Sequence, residues 1–79
     1  MKNVILYSSP TCHYCHMAKD FFAEHNILYT EKDVASDSEA RKEAIQKSRQ
    51  MGVPVIDIDG EIVVGFAKLR LEKLLDITA

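Results

Sequence analysis

The sequence predicts an α/β domain: a four-stranded mixed sheet flanked by three helices, in the order β-α-β-α-β-β-α. Three observations carry that prediction. Short apolar runs alternate with longer segments whose apolar residues recur at helical spacing. A helix separates the first two strands, so they must run parallel. Asp59-Gly60 joins the last two strands as a two-residue turn, so they must run antiparallel.

Residues 2–7 read as the first strand, buried, with Val4, Ile5 and Leu6 at its centre. Ser8, Ser9 and Pro10 break it, and Thr11 is the expected N-cap of a helix running to about His25. Tyr14, Met17, Ala18, Phe21 and Phe22 supply its apolar face. Residues 27–33 read as the second strand, carried by Ile27, Leu28 and Tyr29 with Val34 nearby. Ser36 and Glu39 form a capping-box pair. They open a second helix to about Gln50, with Ala40, Ala44, Ile45 and Ser48 on its inner stripe and Met51-Gly52 closing it. Residues 53–58 make the third strand and residues 61–64 the fourth. Gly65 ends that strand, and a last helix carries Phe66, Leu71, Leu74 and Leu75.

Seventy-nine residues leave room for one domain, residues 1–79. At this size roughly 60% of the unfolded chain's surface can be buried, so the core is small. The apolar fraction of 47% suffices for it. A net charge of -2, with both signs interspersed, excludes an electrostatic footprint for nucleic acid or an anionic membrane. No run approaches transmembrane length, and residues 1–10 do not read as a signal peptide, so none is expected. The expected compartment is the cytoplasm, where structural disulfides are rare, and the expected state is a monomer.

Cys12 and Cys15 are the chain's two cysteines. A strand, then C-x-x-C, then a helix is the setting of a redox couple. The pattern puts Cys12 in the first turn of the helix, facing unpaired N–H groups and the positive end of the dipole. Both favour the thiolate, the form that attacks a disulfide. Cys15, one turn on, lies about 5–6 Å away at Cβ, near enough to close a disulfide. It is expected to be less exposed and to resolve the mixed disulfide formed at Cys12.

Three other readings compete. A structural staple over so short a loop would contribute only about 2 kcal/mol. Cys12-His13-Tyr14-Cys15-His16 also fits the C-x-x-C-H pattern of covalent haem attachment. That use normally accompanies export and needs a large apolar pocket. Zinc could use Cys12, Cys15 and His16, but a closed site wants four ligands and His25 is too far along the helix. No metal site and no cofactor are therefore expected. His13 and His16, if protonated, would stabilise a Cys12 thiolate, against the plainer role of exposed polar residues. His25 reads as a surface residue. Asp57, Asp59 and Glu61 read as a solvated rim around the hairpin. Tyr7 and Tyr14 suit packing and substrate contact equally. Pro54 at the start of a strand has two readings: plain steric tolerance, or a cis bond that turns the Val53 backbone toward the cysteines to pair with a bound peptide.

Ile5-Leu6-Tyr7, Pro10-Thr11-Cys12-His13-Tyr14-Cys15, Gly52-Val53-Pro54-Val55 and Val64-Gly65-Phe66 together resemble the glutaredoxins and glutaredoxin-like redoxins. The resemblance spans nearly the whole chain. It implies a thioredoxin fold, a cis bond at Val53–Pro54, and dithiol–disulfide exchange with Cys12 as nucleophile. It also implies substrate contacts from Tyr14, Val53, Pro54 and Gly65. Protein disulfides are the implied substrates, with thioredoxin reductase or glutathione as the electron donor. Glutaredoxins often carry Pro where His13 stands. Many carry a basic residue at the Ser9 position, and a second Gly with a following acidic residue near Gly65-Phe66-Ala67. The missing charges point to weak glutathione binding, since each charge-assisted contact is worth about 1.5–3 kcal/mol. A lone Gly-Phe after the fourth strand is similar to the NrdH-redoxins, which draw electrons from thioredoxin reductase. The residues that usually follow it there are absent as well.

Overall fold

A computed structural model of the chain describes residues 3–50 and 52–77. The strands are β1 (Val4–Ser8), β2 (Thr30–Asp33), β3 (Val55–Ile58) and β4 (Glu61–Val64). The helices are α1 (His13–Glu24), α2 (Ser38–Ser48) and α3 (Lys68–Leu74). The element order is the expected one. In the sheet the strands stand in the order β2-β1-β3-β4. β1 pairs in parallel with β2 and antiparallel with β3, and β3 pairs antiparallel with β4.

Alternation along β1 sorts its side chains between two cores. Val4 and Leu6 join Ala18, Phe21 and Phe22 of α1, Leu71 of α3, and Ile56, Ile58 and Val63 of the sheet. Tyr7, with Ile5 packed beside it, turns to the opposite face and meets Val55, Ala40 and Ala44 of α2. Both faces of the sheet are thus covered, which is why the central strands read as continuous apolar runs.

The hairpin forms where Asp59-Gly60 predicts it, with φ of 51° and 94° at the two residues. β4 has the predicted limits. Elsewhere the boundaries move for identifiable reasons. Asn26 adopts a left-handed φ of 56°, and the Ile27 N–H donates to the Phe22 carbonyl at 2.8 Å. That closes α1 with a Schellman-type turn. The turn and the approach to the sheet occupy the apolar stretch expected to start β2, leaving Leu28 exposed, and β2 itself is the polar Thr30–Asp33. β2 is an edge strand, where charged residues are at home. His25 is half-buried, its ring against Phe21, rather than on the open surface.

α2 is capped by Asp37, not by the Ser36/Glu39 pair. Asp37 Oδ1 accepts the N–H groups of Glu39 and Ala40 at 3.0 and 3.2 Å. The helix ends at Ser48 because Arg49 turns left-handed at φ 61°; Met51, expected to help close it, lies outside the described residues, as does Lys2.

The largest departure is Asp57. Instead of lining a solvated rim, it is only 9% exposed. Lys47 Nζ donates to Asp57 Oδ2 at 2.7 Å and to Tyr7 Oη at 2.8 Å. The Gly60 N–H donates to Asp57 Oδ1 at 2.7 Å, so the carboxylate also shapes the hairpin. Tyr7 donates in turn to Glu43 Oε1 at 2.8 Å, and Lys32 Nζ donates to the same oxygen at 3.0 Å. Tyr7 is therefore a packing and networking residue, fully buried. Burial pushes Asp57 upward, but the bonds from Lys47 and Gly60 outweigh it and hold the carboxyl below its ordinary range.

Replacing Asp57 by Ala leaves Lys47 and the Gly60 N–H without their acceptor. The expected cost is about 2–3 kcal/mol, read from urea denaturation. Because Asp57 titrates lower in the folded chain, its contribution is present above the unfolded carboxylate value and lost as pH falls through the folded one. The stability gap between wild type and Asp57→Asn should therefore narrow below about pH 4.

Candidate functional site

Register brings three segments to one end of the sheet. Tyr7 pairs with Val55, so the chain leaving β1 through Ser9 passes the chain entering β3 through Val53 and Pro54. Val55 pairs with Val64, which sets Gly65 beside Pro54. The Gly65 N–H donates to the Pro54 carbonyl at 2.9 Å. The Val53–Pro54 bond is cis. Val53 is half-buried, and its backbone makes no hydrogen bond to another described residue. Ser9 and Val53 share a groove of about 280 Å³ with Val34, Arg41, Ala44, Ile45 and Gly52.

Cys12 lies at this end, and it is the N-cap of α1 rather than a residue of its first turn. Its backbone is extended, with φ −87° and ψ 112°. The Cys15 N–H donates to its Sγ at 3.1 Å, so the sulfur takes the place of a capping oxygen. Thr11, the expected cap, is one residue too early and exposed. The Cys12 N–H donates to the Ser9 carbonyl at 3.3 Å, fastening the turn between strand and helix. Cys12 is half-buried and Cys15 is fully buried, both as free thiols.

The rotation of α1 explains the difference. Cys15, Ala18, Phe21 and Phe22 form its buried strip. Tyr14 and Met17, read from the sequence as part of the apolar face, are instead 59% and 37% exposed. Burial raises the Cys15 thiol to about 12, and its hydrogen bond with Cys12 adds to the rise. A backbone hydrogen bond from Ser9 and the charge of Lys19 act in the other direction. One sulfur is therefore reachable and held by an N–H, and the other is a buried thiol one turn behind it.

The remaining candidates divide. Tyr14 is exposed beside the cysteines, and the His13 ring meets it edge-on at 5.8 Å. His16 Nε2 lies 3.2 Å from the Pro10 carbonyl, bracing the loop that precedes Cys12. Among the described residues, no group of three or more His, Cys, Asp or Glu side chains is placed to hold a metal ion. Gly65 has a φ of 79°, which a side chain would strain, and its N–H is engaged by Pro54. Any contact it makes with a ligand must use its carbonyl or its open Cα side.

Sequence reasoning missed Lys19, Glu31 and Ser8. Lys19 Nζ pairs with Glu31 Oε2 at 2.5 Å, and the buried Ser8 hydroxyl donates to the same oxygen at 2.9 Å. The three residues come from α1, β2 and β1, so no local pattern joins them. A Lys four positions after Cys15 was the available signal.

The Glutaredoxin family profile matches residues 4–63. The glutaredoxin-like 8.6 kDa protein of the rubredoxin operon of Clostridium pasteurianum is 44% identical over 71 residues, covering 90% of this chain and 95% of that one. Glutaredoxin 3 of Escherichia coli is 34% identical over 65 residues, covering 82% and 78%. Among solved structures, a point mutant of the thioredoxin-like protein BC3987 superimposes with a TM-score of 0.92 at 36% identity, over 99% of this chain and all of that one. With the four-stranded mixed sheet and its three helices, these matches make the chain a thioredoxin-fold member of the glutaredoxin family, whose kind of activity is thiol–disulfide oxidoreduction.

Proposed function

We propose that this protein reduces disulfides of protein substrates through the Cys12/Cys15 dithiol. The observation that carries the reading is the unequal placement of the two sulfurs. Cys12 is reachable and accepts an N–H at the start of a helix, an arrangement that receives negative charge. Cys15 is fully buried directly behind it. Cys12 Sγ attacks one sulfur of the substrate disulfide and the other leaves as a thiolate, giving a mixed disulfide. Cys15 then attacks Cys12 Sγ, releases the second substrate thiol and leaves Cys12–Cys15 oxidised. The Val53 backbone, which bonds to no other described residue, offers a strand-like edge to the substrate beside Pro54, with Tyr14 as an apolar wall. His16 steadies the loop, and the exposed His13 ring, next to Cys12 in the chain, is the candidate for tuning the Cys12 charge.

The proposed donor is thioredoxin reductase, since Ser9 and Ala67 supply no charge for glutathione. Arg41 favours glutathione as a second reading, because it brings a cation to the groove shared by Ser9 and Val53. The proposed carrier is a cytoplasmic monomer with one domain; no helix among the described residues is long and apolar enough to cross a membrane.

Replacing Cys12 by Ser should abolish reduction of a model protein disulfide such as insulin, and retained turnover would sink the reading. Replacing Cys15 by Ser should instead trap substrate on Cys12, visible by mass on a non-reducing gel. Iodoacetamide at neutral pH should modify Cys12 and spare Cys15, because a buried thiol raised to about 12 stays protonated. Peptide mapping reads the ratio directly. Coupled assays of NADPH oxidation should show faster turnover with thioredoxin reductase than with glutathione and its reductase; the reverse order would transfer the assignment to glutathione.

A further inference from the structure

Resolution requires a fully buried sulfur to carry negative charge, if only briefly. Lys19 lies one turn after Cys15 on α1, since positions i and i+4 share a helix face with Cβ atoms about 5–6 Å apart. Its ammonium is not loose in solvent. The side chain is 25% exposed and pairs with Glu31 of β2, and the Glu31 oxygen it meets is also held by the buried Ser8 hydroxyl of β1. Two strands thus fix a cation one turn from Cys15. The charged and titratable groups around this pair are few. Glu31 and Tyr29 face Lys19, Cys12 faces Cys15, and Asp33 acts on Glu31. Lys19 and Cys15 each respond to the other's charge, whereas burial and Cys12 oppose ionisation of Cys15.

We propose that Lys19 is a positioning residue for the resolving step, held by Glu31 and Ser8 so that its charge offsets the one Cys15 takes on as it attacks. The inference rests on the redox reading above. In the step, the Cys15 S–H bond breaks and its sulfur bonds to Cys12 Sγ. The bond between Cys12 and the substrate sulfur breaks, and that sulfur leaves with the electron pair. The proton ends on the departing thiol, or in solvent when that thiol is a strong acid. Two protein thiols are oxidised to one disulfide as the substrate disulfide becomes two thiols.

Stopped-flow reaction of the reduced protein with 5,5′-dithiobis(2-nitrobenzoate) separates the stages. The first nitrothiobenzoate released reports attack by Cys12, and the second reports resolution by Cys15. Lys19→Met should slow the second phase about threefold and leave the first within about twofold. Each tenfold fall in thiolate is offset about threefold by the higher nucleophilicity of a less acidic thiol, so the rate falls less steeply than the thiolate does. Lys19→Arg should restore the second phase. Glu31→Gln removes the carboxylate's charge but leaves an amide oxygen to hold the ammonium, so its second phase should match or exceed that of wild type. If Lys19→Met and Glu31→Gln slow resolution alike, the pair is only structural and the proposal fails. An unchanged second phase in Lys19→Met also overturns it. A wild-type protein with no first phase would overturn the redox reading itself, and this inference with it.

Discussion

The structure depends on β1 being hydrogen-bonded on both sides. Pairing with β2 and β3 fixes the backbone of residues 4–8 and with it the point at which the chain leaves the sheet. Four residues later α1 must begin, because its buried strip has to land on Val4 and Leu6. That rotation decides which cysteine faces the core and which caps the helix. The same register delivers Val53, Pro54 and Gly65 to the same end. The chemical inequality of two identical side chains is thus a consequence of strand pairing, reached without any special residue between them.

Tyr7 and Ser8 make the point again on a smaller scale. They are neighbours in sequence, buried, and turned to opposite faces of β1. Each sends its hydroxyl to a carboxylate paired with a lysine. Tyr7 reaches Glu43, with Lys32 and Lys47 about it; Ser8 reaches Glu31, held by Lys19. The polar atoms are therefore satisfied inside both cores, and no buried side-chain nitrogen or oxygen among the described residues lacks a partner.

Much of this architecture was legible in the sequence. The element order, the hairpin at Asp59-Gly60 and the limits of β4 follow from periodicity and turn chemistry. The cysteine pair declares itself by spacing and position. What escaped did so for physical reasons. Ile27, Leu28 and Tyr29 look like a strand, but the left-handed Asn26 uses them to turn the chain toward the sheet. Cys12 was placed inside the helix because sulfur is not among the usual capping atoms. Asp57 sits beside a hairpin, where an acid is normally wet, and only Lys47, ten residues earlier, explains its burial. The Lys19, Glu31 and Ser8 cluster spans three elements and leaves no mark on any one of them.

β2 has one further consequence. It is one of the two outer strands of the sheet, four residues long, and its Thr-Glu-Lys-Asp sequence binds Glu31 and Lys32 into ion pairs with α1 and α2. A short, charged border is a poor template for a second chain to zip onto. The polar residues that make β2 unlike an interior strand therefore also make that border a poor place for a further strand to pair.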